Sequence, residues 1–362
     1  MTHLSRRAFV ASTVAAAACA QDQSAGASAE TFACPPCGCS EDGEKFQTPG
    51  RCPDCDMTLI PTQESNLGVE PAALAPRAGS FDISGGAGRA EHLIKVHYYL
   101  PGAYSPDTRI LLVVPGAGRN SFEYRNEWLG VARRENTLVA AMGYPDEHYD
   151  FAAYHMGGVI KNLELRNPDT ATPGVIRIDD GDLTFDTNPN PEEWLFNDFD
   201  RVFGYLKKAT GLPAPHYDIF GHSAGGQILH RMALFYPASR ARKILAANAG
   251  WYTLPNLNAP LPSGLLGSPI TKNDLVRSFA SNLTILLGEN DNSDRAGGTL
   301  LHTPTIDRQG LDRLSRGRNF YELSHRQADA LGADFRWALS TVPNVGHDFR
   351  EMSKAAAGLV QN

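Results

Sequence analysis

Between Leu93 and Val342, short apolar runs rich in β-branched residues alternate with stretches of helical periodicity. No other feature of the chain restricts its fold as much. The runs at 93–100, 109–114, 137–142, 216–220, 243–248, 283–287 and 335–342 read as strands. Between them, 194–210 carries Leu195, Phe199, Val202, Phe203 and Leu206 at helical spacing. Consecutive strands joined by helical crossovers must lie parallel, and the crossovers cover both faces of the sheet. The expected fold class is therefore α/β, with a doubly wound, mostly parallel sheet. Residues 146–191 break the rhythm. They are rich in Asp, Asn, Pro and Gly around a hairpin-like VIRIDDGDLTF, and read as an excursion that either covers the active site or lies apart from it on the surface.

The most specific string is Gly221-His222-Ser223-Ala224-Gly225-Gly226, after a strand and before a helical pattern at 227–236 that Pro237 stops. Glycines flank a serine in this way where a strained strand-to-helix turn leaves no room for side chains. Ser223 is the candidate nucleophile, and the N–H of Ala224, at the helix N-terminus, is a candidate oxyanion donor. A serine hydroxyl needs a base, and the base needs a carboxylate to orient it. Downstream, the strand at 283–287 runs into Gly288-Glu289-Asn290-Asp291. Asp291 is the candidate acid, with Asp294 and Glu289 as rivals. The candidate base is His347, just after the last strand. His302 follows the acid loop too soon, and His325 falls in a helical stretch. His230 reads as a packed helix residue, and His222 fills the variable position of the turn. In Val113-Val114-Pro115-Gly116-Ala117-Gly118, proline has no N–H, so Ala117 is the second candidate oxyanion donor and Gly118 its alternative. Tyr144, Trp251 and Tyr252, near strand ends, are candidates for an acyl or aryl pocket or for packing around it.

From about Ser80 onward the chain resembles the α/β-hydrolase superfamily. The strings PGAGRNSFEYR, GHSAGGQ and LLGENDN look most like its esterase and polyhydroxyalkanoate-depolymerase-like branch. The resemblance implies cleavage of small-molecule or polymeric carboxylic esters through an acyl-enzyme on Ser223, with no cofactor in catalysis. Where many members carry His-Gly, this chain has Pro115-Gly116. A peptidase on the same fold would carry the same residues.

Five of the six cysteines, Cys34, Cys37, Cys39, Cys52 and Cys55, cluster ahead of this region. Cys34-x2-Cys37 and Cys52-x2-Cys55, 14 residues apart, form a four-thiolate pattern with zinc-ribbon spacing. The piece 31–61 resembles the short heavy-metal-binding domain found beside metal transporters and in periplasmic proteins. The resemblance implies a structural zinc or another soft metal, with Met57 pointing toward copper, Cys39 as a spare thiol, and disulfides as the alternative. On this reading a metal-binding or metal-sensing protein with a hydrolase-fold scaffold is the competing function. Ser5-Arg6-Arg7-Ala8-Phe9 before an alanine-rich run resembles a twin-arginine export signal and implies a periplasmic or secreted protein. Ala18-Cys19 weakly resembles a lipoprotein site, which makes Cys19 a candidate lipid anchor. The expected organisation is signal and spacer at 1–30, cysteine module at 31–61, linker at 62–79 and hydrolase domain at 80–362. A formal net charge of −7 without any Lys/Arg-rich run argues against nucleic-acid partners. The run 8–20 is too short to span a bilayer. The sequence does not set the oligomeric state.

Overall fold

The computed structural model describes residues 32–33, 40–41, 44–48, 52–54, 60–61, 72–293 and 297–361. One eight-stranded sheet organises the larger part of the chain. Its strands are β1 (Arg77–Ser84), β2 (Leu93–Leu100), β3 (Arg109–Val114), β4 (Thr137–Gly143), β5 (Tyr217–His222), β6 (Ala241–Ala247), β7 (Leu283–Gly288) and β8 (Ala338–Val342). Their order in space is β1-β2-β4-β3-β5-β6-β7-β8. The β1–β2 and β2–β4 pairs are antiparallel, and all others are parallel. The sheet is thus mostly parallel, as the alternation requires.

Because β4 lies on one side of β3 and β5 on the other, the chain reverses its winding at β3. A crevice therefore opens beyond the C-terminal ends of β3 and β5, the usual place for a ligand in such sheets. The helices of seven residues or more among the described residues are α1 (Ser121–Glu127), α2 (Phe196–Thr210), α3 (Ala224–Phe235), α4 (Lys272–Phe279), α5 (Arg313–Leu331) and α6 (Phe349–Gln361). On one face, Leu111 and Val113 of β3 and Phe220 of β5 pack with Tyr124 of α1 and Met352 and Ala356 of α6. On the other, Ile110, Leu112 and Ile219 pack with residues of α2 to α5, among them Phe199, Ile228, Leu275 and Phe320. Burial on both faces explains why β3 reads as an unbroken apolar run, and each such side chain contributes roughly 1.5–3 kcal/mol.

The strands at 93–100 and 109–114 have the expected bounds, whereas the last begins at Ala338 instead of residue 335. Two expectations are corrected. β1 begins at Arg77, inside the stretch read as linker, and Leu74 N–H already bonds the Ala209 carbonyl at 3.4 Å. The hydrolase domain therefore starts before residue 80. β1 is an edge strand paired only with β2 and mostly half-buried, so it lacks the apolar periodicity that marks its neighbours. VIRIDDGDLTF is not a hairpin. Val175–Arg177 pairs in parallel with Leu300–His302, and Leu183–Thr187 pairs antiparallel with Ile160–Leu165, with a 3-10 turn at Asp180–Asp182 between them.

At the N-terminal end, Phe32–Ala33 pairs antiparallel with both Lys45–Phe46 and Ile60–Pro61. Asp54 accepts hydrogen bonds from the Ser40 N–H (2.9 Å) and hydroxyl (3.1 Å), and Cys52 is buried. Cys34, Cys37, Cys39, Cys55 and Met57 lie outside the described residues, as do Cys19 and the export signal. Among the described residues no helix is long and apolar enough to cross a membrane.

Candidate active site

Ser223 sits between β5 and α3 with φ 59° and ψ −114°, a conformation that costs a non-glycine residue about 1–3 kcal/mol. Neighbouring backbone holds it there: Ser223 N–H donates to the Ala247 carbonyl, and the Ser223 carbonyl accepts from Gln227 N–H, both at 2.9 Å. The glycines answer to space. A Cβ on Gly225 would overlap the Val114 carbonyl, one on Gly226 the Ala247 carbonyl, and one on Gly221 the Gly225 carbonyl. The serine hydroxyl is thereby raised at the edge of the sheet where the crevice opens.

The loops after β7 and β8 bring the other two groups to it. His347 Nε2 lies 2.9 Å from Ser223 Oγ, and His347 Nδ1 lies 2.7 Å from Asp291 Oδ2. Asp291 is 1 % exposed, and its second oxygen accepts from Arg313 Nη1 at 3.2 Å, so the carboxylate is held from both sides. Glu289 points elsewhere, accepting from the Thr341 hydroxyl; Asp294 lies outside the described residues. Asn248, at the end of β6, joins the two loops: its side chain accepts from Gly288 N–H at 2.8 Å and donates to the Gly346 carbonyl at 3.0 Å. Burial holds His347 below the ordinary histidine value. The bond to Asp291 opposes that, and the Arg313 charge adds to it. The imidazole is therefore neutral at neutral pH, the form a base requires.

The other histidines weighed as candidates are occupied otherwise. His230 faces the Gly226 carbonyl at 3.2 Å and accepts from Thr253 N–H. His302 pairs with Asp307, and His325 with Asp329 on an exposed face. His222 lies 3.1 Å from the Tyr124 hydroxyl.

Ala117 and Gly118 form a turn closed by Arg119 N–H on the Gly116 carbonyl at 3.1 Å. They line one pocket with Ser223, His347 and Trp251. Ala224 is the first residue of α3. Tyr144 and Tyr252 do not line this pocket. Both are fully buried, Tyr144 against Tyr149 and Tyr154, and Tyr252 stacked on Phe320. The excursion supplies Phe151, His155, Leu165 and Ile176 to the wall, and the pairing of Val175–Arg177 with Leu300–His302 ties it to the chain that follows the acid loop. Arg313, Asn248, Tyr124 and Tyr154 carry no sequence signal, because their roles depend on contacts between elements far apart in the chain.

A serine raised on a strand-to-helix turn at the switch point of a mostly parallel sheet, with an imidazole and a carboxylate in line, defines the class: a hydrolase with the α/β-hydrolase fold. Poly(aspartic acid) hydrolase-1 from Sphingomonas sp. KT-1 is similar at 36% identity, covering 80% of this chain and 100% of that one, with a TM-score of 0.69. The poly(3-hydroxybutyrate) depolymerase LpqC from Bordetella parapertussis is similar at 30% identity, covering 79% and 89%, with a TM-score of 0.67. The chain belongs to the α/β-hydrolase family that contains these two enzymes. Residues 31–62 match the heavy metal binding domain family. No curated protein matches the chain.

Proposed function

We propose that the protein is an exported serine hydrolase that cleaves carboxylic esters through an acyl-enzyme. The observation that carries this reading is the continuous line Ser223 Oγ, His347 Nε2, His347 Nδ1, Asp291 Oδ2, with steps of 2.9 and 2.7 Å across the two hydrogen bonds. Ser223 Oγ attacks the ester carbonyl carbon while His347 Nε2 takes the hydroxyl proton. The N–H groups of Ala117 and Ala224 receive the oxyanion. The tetrahedral adduct collapses, the C–O bond to the leaving group breaks, and His347 returns its proton to that oxygen, so an alcohol departs. Water then attacks the acyl-enzyme and gives its proton to the same nitrogen. The second adduct releases the carboxylic acid as Ser223 regains its hydrogen. Asp291 keeps the ring oriented and stabilises the imidazolium formed between steps.

The similar enzymes are named for poly(aspartic acid) and for poly(3-hydroxybutyrate), one polymer joined by amide bonds and the other by esters. Amide cleavage at the same serine is therefore the second reading. A panel of p-nitrophenyl esters, oligoesters and the matching amides, run on wild type and Ser223→Ala, separates the two. Turnover of amides above esters would replace the ester reading, and Ser223-independent turnover would remove both.

The module at 31–61 is proposed to hold one zinc, or another soft metal, through Cys34, Cys37, Cys52 and Cys55. Buried Cys52 and the match of residues 31–62 to the heavy metal binding domain family support this fit. The metal would serve as a cross-link and take no part in the hydrolysis. Export through the twin-arginine route is proposed from Ser5-Arg6-Arg7-Ala8-Phe9. Periplasmic recovery that depends on Arg6 and Arg7 tests it, and an unchanged distribution after Arg6→Lys with Arg7→Lys would overturn it.

A further inference from the structure

The loop that carries the candidate oxyanion donor Ala117 comes close to Ser223, and Gly116 is the residue in it that leaves room for the Tyr124 hydroxyl. A Cβ on Gly116 would lie 3.1 Å from the Tyr124 hydroxyl oxygen and 3.4 Å from Ser223 Cβ. Glycine solves the problem of space but leaves its own backbone the least determined of any residue. Because Ala117 N–H belongs to the next peptide plane, looseness at Gly116 becomes looseness in the direction of the donor.

Two tyrosines from different elements remove that freedom. Tyr154, in the excursion, donates its hydroxyl to the Pro115 carbonyl at 2.8 Å. It is held under Arg119, whose guanidinium lies 3.6 Å from its ring centre and donates to the Tyr144 and Tyr149 carbonyls. Tyr124, on α1, is 2 % exposed and stacked on Phe349 at 4.2 Å, so packing places its ring whatever its hydroxyl does. Its hydroxyl oxygen stands directly against Gly116, 3.1 Å from the place a Cβ would take there. The peptide plane Pro115–Gly116 is thus held at its carbonyl by a hydrogen bond and at Gly116 by contact. The same hydroxyl hydrogen-bonds His222 Nδ1 at 3.1 Å. His222 immediately precedes Ser223.

We propose that Tyr124 is a positioning residue that locks the oxyanion loop to the nucleophile turn through a relay of contacts, from Gly116 to the Tyr124 hydroxyl and from that hydroxyl to His222 Nδ1. The relay fixes the plane from which Ala117 N–H projects. It rests on the reading of Ser223 as nucleophile and of Ala117 as donor. It also gives the variable residue of the turn a task beyond filling space.

The test uses the full chain, a p-nitrophenyl ester and a trifluoromethyl ketone, which forms a hemiketal oxyanion on the serine. In Tyr124→Phe the ring and its stacking survive and only the relay is lost. kcat is expected to fall by about 10- to 100-fold with KM little changed, the cost of a misdirected donor. The inhibition constant of the ketone should rise by the factor that kcat/KM loses. Wild-type kcat, or a fallen kcat with an unchanged inhibition constant, would overturn the relay. His222→Asn and His222→Gln provide a second measurement, which decides the matter should Tyr124→Phe not fold. The Asn amide oxygen can occupy the place of Nδ1 and keep the relay, whereas Gln reaches the place of Nε2. Asn is expected to retain more activity than Gln, and equality or the reverse order would overturn the proposal. Ser223→Ala run alongside keeps the failures apart. If it retains turnover, the nucleophile reading fails. If it abolishes turnover while Tyr124→Phe behaves as wild type, only the relay fails.

Discussion

Ser223 holds a backbone conformation that only its surroundings make tolerable, and the same surroundings decide what its neighbours can do chemically. Ser223→Ala is expected to lose at least about three powers of ten in kcat, because binding and an oxyanion hole alone cannot replace a covalent nucleophile. Retention of a tenth of wild-type turnover would remove the assignment. Asp291→Asn leaves the shape but offers the wrong hydrogen-bond pattern to His347 Nδ1, and a loss of about 10⁴ is expected. The pH dependence follows from His347. Its folded value is depressed, first by burial and then by the Arg313 charge, so protonation is disfavoured and the base form persists below the ordinary value near 6.5. kcat/KM should be flat through neutrality and fall in acid with a midpoint below 6.5. Arg313→Met removes a positive neighbour and should move that midpoint upward, whereas an unmoved or lowered midpoint would show that Arg313 does not act on the imidazole. Because the arginine and Asp291 are both about 1 % exposed, the same substitution should destabilise the protein by about 3–5 kcal/mol. Ser223, Asp291 and His347, which two hydrogen bonds join through the imidazole, are candidates from the residues alone, since each follows a recognisable strand. Arg313 is not: it reaches Asp291 from a helix 22 residues further on, and nothing local marks it.

The strand–turn–helix unit from β5 to α3 works through glycine. Gly225→Ala would push a methyl group into the Val114 carbonyl of β3, so β3 and β5 could not keep both their spacing and the turn. A large drop in melting temperature is expected. Gly204→Ala in the interior of α2 is the contrast, because nothing outside its own stretch of helix lies within 4 Å of the added carbon and a helix-interior alanine should stabilise by about 0.5–1 kcal/mol. Equal melting temperatures for the two variants would discredit the packing account of the turn. The excursion shows why elements outside the main sheet resist reading. Its two short strands look like the arms of one hairpin, yet Val175–Arg177 finds its partner 125 residues away at Leu300–His302, in the register Val175 opposite Leu300. A strand's composition shows that it will pair, but not with what.

For the molecule as a whole, the first strand decides where the catalytic unit begins. A chain started at residue 80 would cut β1 and lose the pairs Arg77 with Leu100, Ala78 with Tyr99 and Gly79 with Tyr98. A chain started at residue 72 is expected to fold and hydrolyse short esters without added metal, whereas one started at residue 80 should melt lower. If the longer truncation were as stable as the shorter, β1 would be dispensable. Chelation of the full chain should strip metal from the cysteine module and leave esterase turnover unchanged, as read by metal analysis beside the assay. Chelator-sensitive turnover would place metal in the chemistry. The order of elements along the chain was already written in the residues: apolar runs for strands buried on both faces, the helical spacing of α2, a glycine-flanked serine, and an acid and a histidine at later strand ends. These are local patterns, and solvent exclusion and backbone sterics act on them wherever they occur. Which strands adjoin, how β3 approaches the serine turn, and which buried arginine and tyrosines orient the reacting groups were decided only by tertiary packing. Those contacts join residues far apart in the chain, His347 and Ser223 by 124 positions, and their geometry depends on the close fit of both sheet faces at once.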